Sequence, residues 1–169
     1  MARRPPVFRD HPIRYVDALA QGVFRAYCSY VSDGDTCDCL LDLGWYQYAY
    51  VSIRLADVDT CELRGTRGVE REMAERAKSL AESLTLDRPV ILRSYQVTTF
   101  GRHVAAVYCQ DLAGEYGMLP APVDAGEDDI RWVSLADVLC HEKLTKADVP
   151  GACPPDRPVG PAKRGPRCG

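Results

Sequence analysis

Two short runs decide the fold: Val31-Ser32-Asp33-Gly34-Asp35-Thr36, and Ile53-Arg54-Leu55-Ala56-Asp57-Val58-Asp59-Thr60-Cys61-Glu62. Between them lie two strand-like segments, Thr36 to Leu43 and Tyr46 to Leu55, separated by Gly44. The chain therefore folds back and can bring its two acidic ends together. Asp33-Gly34 is a turn dipeptide, since glycine accepts positive φ without steric penalty. In the third strand Ala49, Val51, Ile53 and Leu55 share one face, and Tyr48, Tyr50, Ser52 and Arg54 share the other. Arg54 is thus directed away from the core, next to the acids that follow it.

Working outward, Gly22 to Val31 is rich in aromatic and branched residues and reads as the first strand. Gly68 precedes the clearest helix, Val69 to Thr85, where Val69, Met73, Ala77, Leu80 and Leu84 make one apolar stripe. Glu70, Glu72 and Glu75 occupy its N-terminal half, where the helix dipole favours acids. Val90 to Val97 and His103 to Tyr108 read as strands four and five around a Thr-Thr-Phe-Gly-Arg turn. Three strands, a helix and two more strands is the order of an OB-type five-stranded barrel, an α+β fold. Asp111 to Asp129 has loop composition, and Ser134 to Lys143 reads as a short helix with Ser134 as N-cap and Leu135, Val138 and Leu139 facing inward. Residues 1–16 read as a flexible lead-in, 17–149 as the folded domain, and 150–169 as a Pro/Gly-rich disordered tail.

The chain of 169 residues has a net charge of −3 and 46% hydrophobic residues. That length is one domain able to bury roughly two-thirds of its unfolded surface. The slight negative charge excludes a global field that attracts nucleic acid, so any phosphate recognition is local. No apolar run spans a bilayer, and the basic N-terminus is not followed by an apolar signal core, which points to a cytoplasmic protein with no membrane partner. The eight cysteines (28, 37, 39, 61, 109, 140, 153 and 168) include no Cys-x-x-Cys pair. That argues against an ordinary tetrahedral zinc site and for reduced thiols, several of them in the core.

Taken singly, Asp-Gly-Asp, Asp-Val-Asp, a mid-strand arginine and a hairpin arginine are ordinary surface features. Taken together they offer carboxylates for a hard cation and guanidinium groups for a phosphate diester. Asp35, Asp59 and the Thr60 carbonyl are candidate metal ligands. Arg54 and Arg102 are candidates for opposing charge on a phosphate, and Glu62 for activating water.

As a set, Asp33-Gly34-Asp35-Thr36, Arg54-Leu55, Asp59-Thr60-Cys61-Glu62 and Gly101-Arg102 resemble the staphylococcal nuclease (thermonuclease) family, over about Gly22 to Leu144 and in the family's order. The resemblance implies an OB-type barrel and a Ca²⁺-dependent phosphodiesterase acting on DNA and RNA, monomeric, with single strands preferred. It implies Asp35, Asp59 and Thr60 as calcium ligands, Arg54 and Arg102 as phosphate-binding groups, Glu62 as general base, and Asp33 as an acid that tunes the metal. Cys61 stands where the family commonly has proline, and Thr98-Thr99-Phe100 replaces an acidic and tyrosine-bearing approach to Gly-Arg. The tyrosines after the family's second helix are replaced by Ala147-Asp148-Val149-Pro150, and its third helix gives way to the proline-rich tail. These departures bear on substrate affinity and base preference.

Two other readings compete. One is a catalytically silent OB-fold module that binds single-stranded nucleic acid or a protein, with Tyr46, Tyr48, Tyr50, Tyr95 and Phe100 as stacking candidates. The other is a zinc- or disulfide-stabilised interaction protein resting on the cysteines. His11, His103 and His141 have no paired motif, and Lys163, Arg164 and Arg167 belong to the charged tail.

Overall fold

The computed structural model describes residues 22–99, 102–117 and 131–150. The lead-in, the tail and most of the Asp111–Asp129 loop lie outside these residues. Within the described residues six strands run β1 (Val23–Asp33), β2 (Thr36–Gly44), β3 (Gln47–Leu55), β4 (Arg88–Thr99), β5 (Arg102–Gln110) and β6 (Trp132–Ser134). The described residues also form two helices, α1 (Val69–Thr85) and α2 (Leu135–His141), and a 3₁₀ turn (Lys146–Asp148). The strands lie in the order β3-β2-β1-β4-β5-β6, and β3 also pairs with β5. That last pairing is parallel, Ile53 opposite His103 through Leu55 opposite Ala105, and it closes a five-stranded mixed barrel of OB-like type. Closure removes the two open edges that would otherwise present unpaired backbone groups.

Closing so few strands demands strong coiling, which irregular pairing supplies. Register shifts occur between Cys28 and Tyr30, between Val31 and Asp33, and between Ser94 and Val97. The inward faces of all five barrel strands share one core with the inner face of α1 and with α2. Each fully buried aliphatic side chain there contributes roughly 1.5–3 kcal/mol. A smaller cluster of Val23, Ile91, Tyr108 and Trp132 packs outside the barrel wall. It includes β6, a three-residue strand on β5 that the loop composition upstream concealed.

The predicted helix bounds hold for Val69–Thr85, but its buried face is rotated from the expected stripe. Met73, Ala74, Ala77, Ala81 and Thr85 are buried, Leu80 and Leu84 are half-buried, and Val69 is exposed. Alanine supplies the contact because α1 lies close against the barrel end. Ser134 caps α2 as expected, its Oγ accepting from the Asp137 amide at 3.3 Å.

Among the barrel residues are three thiols on β1 and β2. Cys28 lies opposite Cys39, and Cys37 is two residues before it on the same inward face. Hydrogen bonds from Cys37 and Cys39 hold the Cys28 thiol below the ordinary cysteine range. Sharing with Cys28, together with burial, raises the other two.

Gly34 corrects the sequence reading. It is not among the glycines of positive φ, which are Gly22, Gly44, Gly65, Gly68 and Gly114. Its requirement is space: a Cβ there would lie 2.6 Å from Ala77 Cβ and 3.0 Å from Thr60 Oγ1. Gly34→Ala is therefore expected to destabilise the fold by about 1–3 kcal/mol, the usual range for overpacking. In urea denaturation the loss should shrink in an Ala77→Gly background, where the opposing methyl is gone; equal losses in both backgrounds would exclude this contact as the cause.

Candidate active site at the closed end of the barrel

Two pairings bring the charged residues to one end of the barrel. Antiparallel β2–β3 sets Thr36 opposite Arg54, and parallel β3–β5 sets Arg54 opposite Val104, two residues beyond Arg102. Asp35 lies in the turn between β1 and β2, its carbonyl accepting from the Leu55 amide at 2.8 Å. The chain leaves β3 through Asp57, which takes φ of 62° and is exposed, and re-enters the site at Asp59 and Thr60.

Asp35 is the centre of the arrangement. It is 4% exposed. Its Oδ1 accepts from Thr36 Oγ1 at 3.0 Å, and its Oδ2 accepts from the Thr60 amide at 3.2 Å. One Arg54 nitrogen lies 3.2 Å from Asp35 Oδ2 and 2.7 Å from Asp59 Oδ1, so the two carboxylates face each other across a single guanidinium group. Arg102 donates to Thr36 Oγ1 at 3.3 Å, which puts the second guanidinium one hydroxyl away from Asp35.

Sequence reasoning missed Lys146. Its Nζ is 2.9 Å from Asp59 Oδ1, and its amide donates to the Asp59 carbonyl at 2.9 Å. The 3₁₀ turn is thereby docked on the acidic loop by both backbone and side chain. A capping box of Thr145 and Asp148 holds the turn in shape. No local pattern signals this contact, because the partners are 87 residues apart.

Asp35, Asp59, Arg54 and Arg102 are thus brought together, with Thr60 beside them. Glu62 is different. It is exposed, two residues beyond the buried Thr60, and shares no hydrogen bond or ion pair with the other four among the described residues. Its carbonyl accepts from Thr66 Oγ1, and Arg71 bonds the Leu63 carbonyl, so the loop carrying Glu62 is fastened to the start of α1. Cys61 packs with Met73 and Ala74, which anchors this loop on α1. Asp33 is half-buried at the end of β1. His103 is exposed, and His141 stacks edge-on to Tyr116 at 6.3 Å, away from the acids. Tyr46, Tyr50 and Tyr95 are exposed, as is Trp45 at the β2–β3 turn. Phe100 lies outside the described residues.

Compared with protein-family models and with curated proteins, the chain matches none of them. The described helices include none long and apolar enough to cross a membrane.

Burial raises the Asp35 carboxyl above the usual range, opposed by the Arg54 charge and by the Thr60 and Thr36 hydrogen bonds, with Asp59 adding to the rise. The folded state therefore holds this proton over a pH window where the unfolded chain has already lost it. Stability from this group is greatest below the ordinary aspartate range and falls as pH rises through the window toward neutrality. Asp35→Asn can keep both contacts, its oxygen accepting from the Thr60 amide and its amide nitrogen donating to Thr36 Oγ1 in a reversal of the present bond. The variant should be more resistant to urea than wild type at neutral pH, and the two should converge in mild acid. Parallel stability curves across that range would show that desolvation of this carboxylate is not felt.

Proposed function

We propose that the chain is a Ca²⁺-dependent nuclease that hydrolyses phosphodiester bonds of DNA or RNA with little sequence specificity. The observation that carries this reading is the convergence of Arg54 and Arg102 on the Asp35–Asp59 carboxylate pair. The resemblance to the staphylococcal nuclease family is drawn on those same residues.

The donors available fit a hard divalent ion. They are all oxygen, and carboxylates with a backbone carbonyl are what Ca²⁺ takes. The Thr60 hydroxyl is buried with no hydrogen-bond partner, so the segment has polar capacity left over. Arg54 and Lys146 already lie against Asp59, so the carboxylate pair is built to face positive charge. Asp35, Asp59 and the Thr60 carbonyl would hold the ion, which when bound supplies positive charge to a phosphate and acidifies water.

The remaining chemistry belongs to the protein. A diester gains charge on its non-bridging oxygens as water adds to phosphorus, and Arg54 and Arg102 are the groups to oppose it. Glu62, exposed and unpaired with those cations, is available to take the proton of the attacking water as the bond to the leaving oxygen breaks. Thr36 holds Arg102 in place and orients Asp35, so it is a positioning residue. The slight overall negative charge leaves substrate capture to these local cations, with Tyr46 and Tyr50 on the exposed barrel surface as sites where bases can stack.

A second reading has one observation in its favour. Asp59 is neutralised within the chain by Arg54 and Lys146, so the network is electrostatically complete as a structural device. A silent OB-fold module binding single-stranded nucleic acid would need no more.

The two are separated by incubating the full chain with denatured DNA or RNA, with Ca²⁺ or with a chelator, and resolving the fragments. The nuclease reading expects cleavage with Ca²⁺ and none with chelator. It also expects losses of at least about a hundredfold in Glu62→Gln and in Arg102→Ala, with the circular dichroism of wild type. Undiminished cleavage in either variant removes the role assigned to it, and retardation without fragments points to the binding module.

A further inference from the structure

The three inward thiols of the β1–β2 hairpin take no part in the carboxylate site. Cys28, Cys37 and Cys39 are 0%, 2% and 0% exposed, and their sulfurs all lie within 4.8 Å of one another. We infer that they form a three-thiolate site for a thiophilic d¹⁰ cation, Zn²⁺ or Cu⁺, enclosed in the barrel.

One sulfur pair already has the spacing such an ion requires, and the third sulfur is within 4.8 Å of both. Metal–sulfur bonds of about 2.3 Å set the sulfurs of one coordination shell about 3.8–4.0 Å apart. Cys37 Sγ and Cys39 Sγ are 3.8 Å apart. A single buried cysteine is an ordinary small apolar residue. Three sulfurs gathered within 4.8 Å of one another are not an ordinary packing solution, because the rest of this interior is mostly Val, Ile, Leu and Ala, with Cys109 as its one other thiol among the described residues.

A disulfide accounts for the cluster less well. Residues two apart on one extended strand have β-carbons about 6.6 Å apart, whereas a disulfide needs about 3.8 Å. Cys37 and Cys39 therefore cannot bond while β2 stays a strand. Cys28 and Cys39 lie opposite each other and could, but Cys37 would be left unused.

Soft thiolates select Cu⁺ and Zn²⁺ over the hard cations that oxygen donors take. Among the described residues no fourth cysteine, histidine or carboxylate joins the group. Three sulfurs complete a trigonal Cu⁺ site. Zn²⁺ takes a fourth ligand, for which the oxygens beside Cys28 are the Tyr30 carbonyl, 3.7 Å from its Sγ, and the Thr85 hydroxyl. Binding releases the thiol protons to solvent. Since the sulfurs are sealed from water, the ion enters as the barrel forms, and its binding energy becomes folding energy. This site does not depend on the nuclease reading.

The test refolds the full chain from denaturant under reduction with Zn²⁺, with Cu⁺ or with a chelator, followed by gel filtration and elemental analysis. One metal per chain is expected, with a higher melting temperature than the chelated protein. Alkylation with mass spectrometry should find Cys28, Cys37 and Cys39 protected by the metal in partly denaturing conditions, and the exposed Cys140 reactive throughout. Alanine at 28, 37 or 39 should lower metal affinity by more than the roughly 10–100-fold that loss of a supporting residue costs. Alanine at the equally buried Cys109 should not. Retention of Zn²⁺ or of Cu⁺ names the ion. Should the alanine variants fail to fold, sulfur coordination numbers from X-ray absorption of the loaded wild type decide, with three expected. No bound metal, unchanged metal in the triple alanine variant, or a Cys28–Cys39 disulfide in the reduced, refolded chain would each overturn the site.

Discussion

A carboxylate taken out of water needs donors, and the donors that Asp35 finds tie three parts of the chain together. Its own turn supplies Thr36, the loop after β3 supplies the Thr60 amide, and β3 supplies Arg54. Charge-assisted hydrogen bonds of this kind offset much of the desolvation cost of the anion. The raised Asp35 pKa shows that the offset is incomplete. The packing around this carboxylate is tight: α1 comes so close to the turn that Gly34 has no room for a methyl group.

Around that carboxylate the charges alternate. Arg102 reaches Asp35 through Thr36, Arg54 lies between Asp35 and Asp59, and Lys146 covers the far side of Asp59. Arg54 is about three-quarters covered and Asp59 about half exposed, so these pairs are only partly screened by solvent. Exposed pairs of this kind contribute about 0–1 kcal/mol each. Their effect is to hold the guanidinium groups in place, which under the proposed nuclease reading would leave little reorganisation for the moment of binding. A phosphate entering here would compete with the acids for Arg54, and Lys146 would remain to keep Asp59 in place.

The β1–β2 hairpin presents two chemistries on its two faces. Outward, and at its turn, it carries the oxygen donors Asp35 and Thr36. Inward it carries the sulfurs of Cys28, Cys37 and Cys39. The two-residue repeat sets Thr36 on the face opposite Cys37 and Cys39, because successive strand side chains point to opposite sides, and the turn takes Asp35 out of the strand. An ion held by the sulfurs would clamp β1 to β2 one residue away from the turn that positions Asp35. Hard and soft donors are thus kept apart by the barrel wall.

Much of this was legible in the chain itself. Alternation in Tyr48–Leu55 assigned Arg54 to the outer face, the periodicity of Val69–Thr85 gave α1 its bounds, and Ser134 marked the start of α2. These succeed because they depend on neighbours within a turn or a strand pair. The convergence of Asp35, Arg54, Asp59 and Arg102 could be anticipated only as a set of residues, and their contacts depend on the parallel β3–β5 closure. Three features were beyond local reading. Lys146 is joined to Asp59 by the docking of a distant turn, β6 exists only because β5 offers it a partner, and Gly34 is demanded by Ala77 on α1. The thiol cluster belongs with them: Cys37-x-Cys39 shows no metal spacing until hairpin register brings Cys28 opposite. Local sequence determines which way a side chain points, whereas what it meets there is decided by register and closure, which no short segment contains.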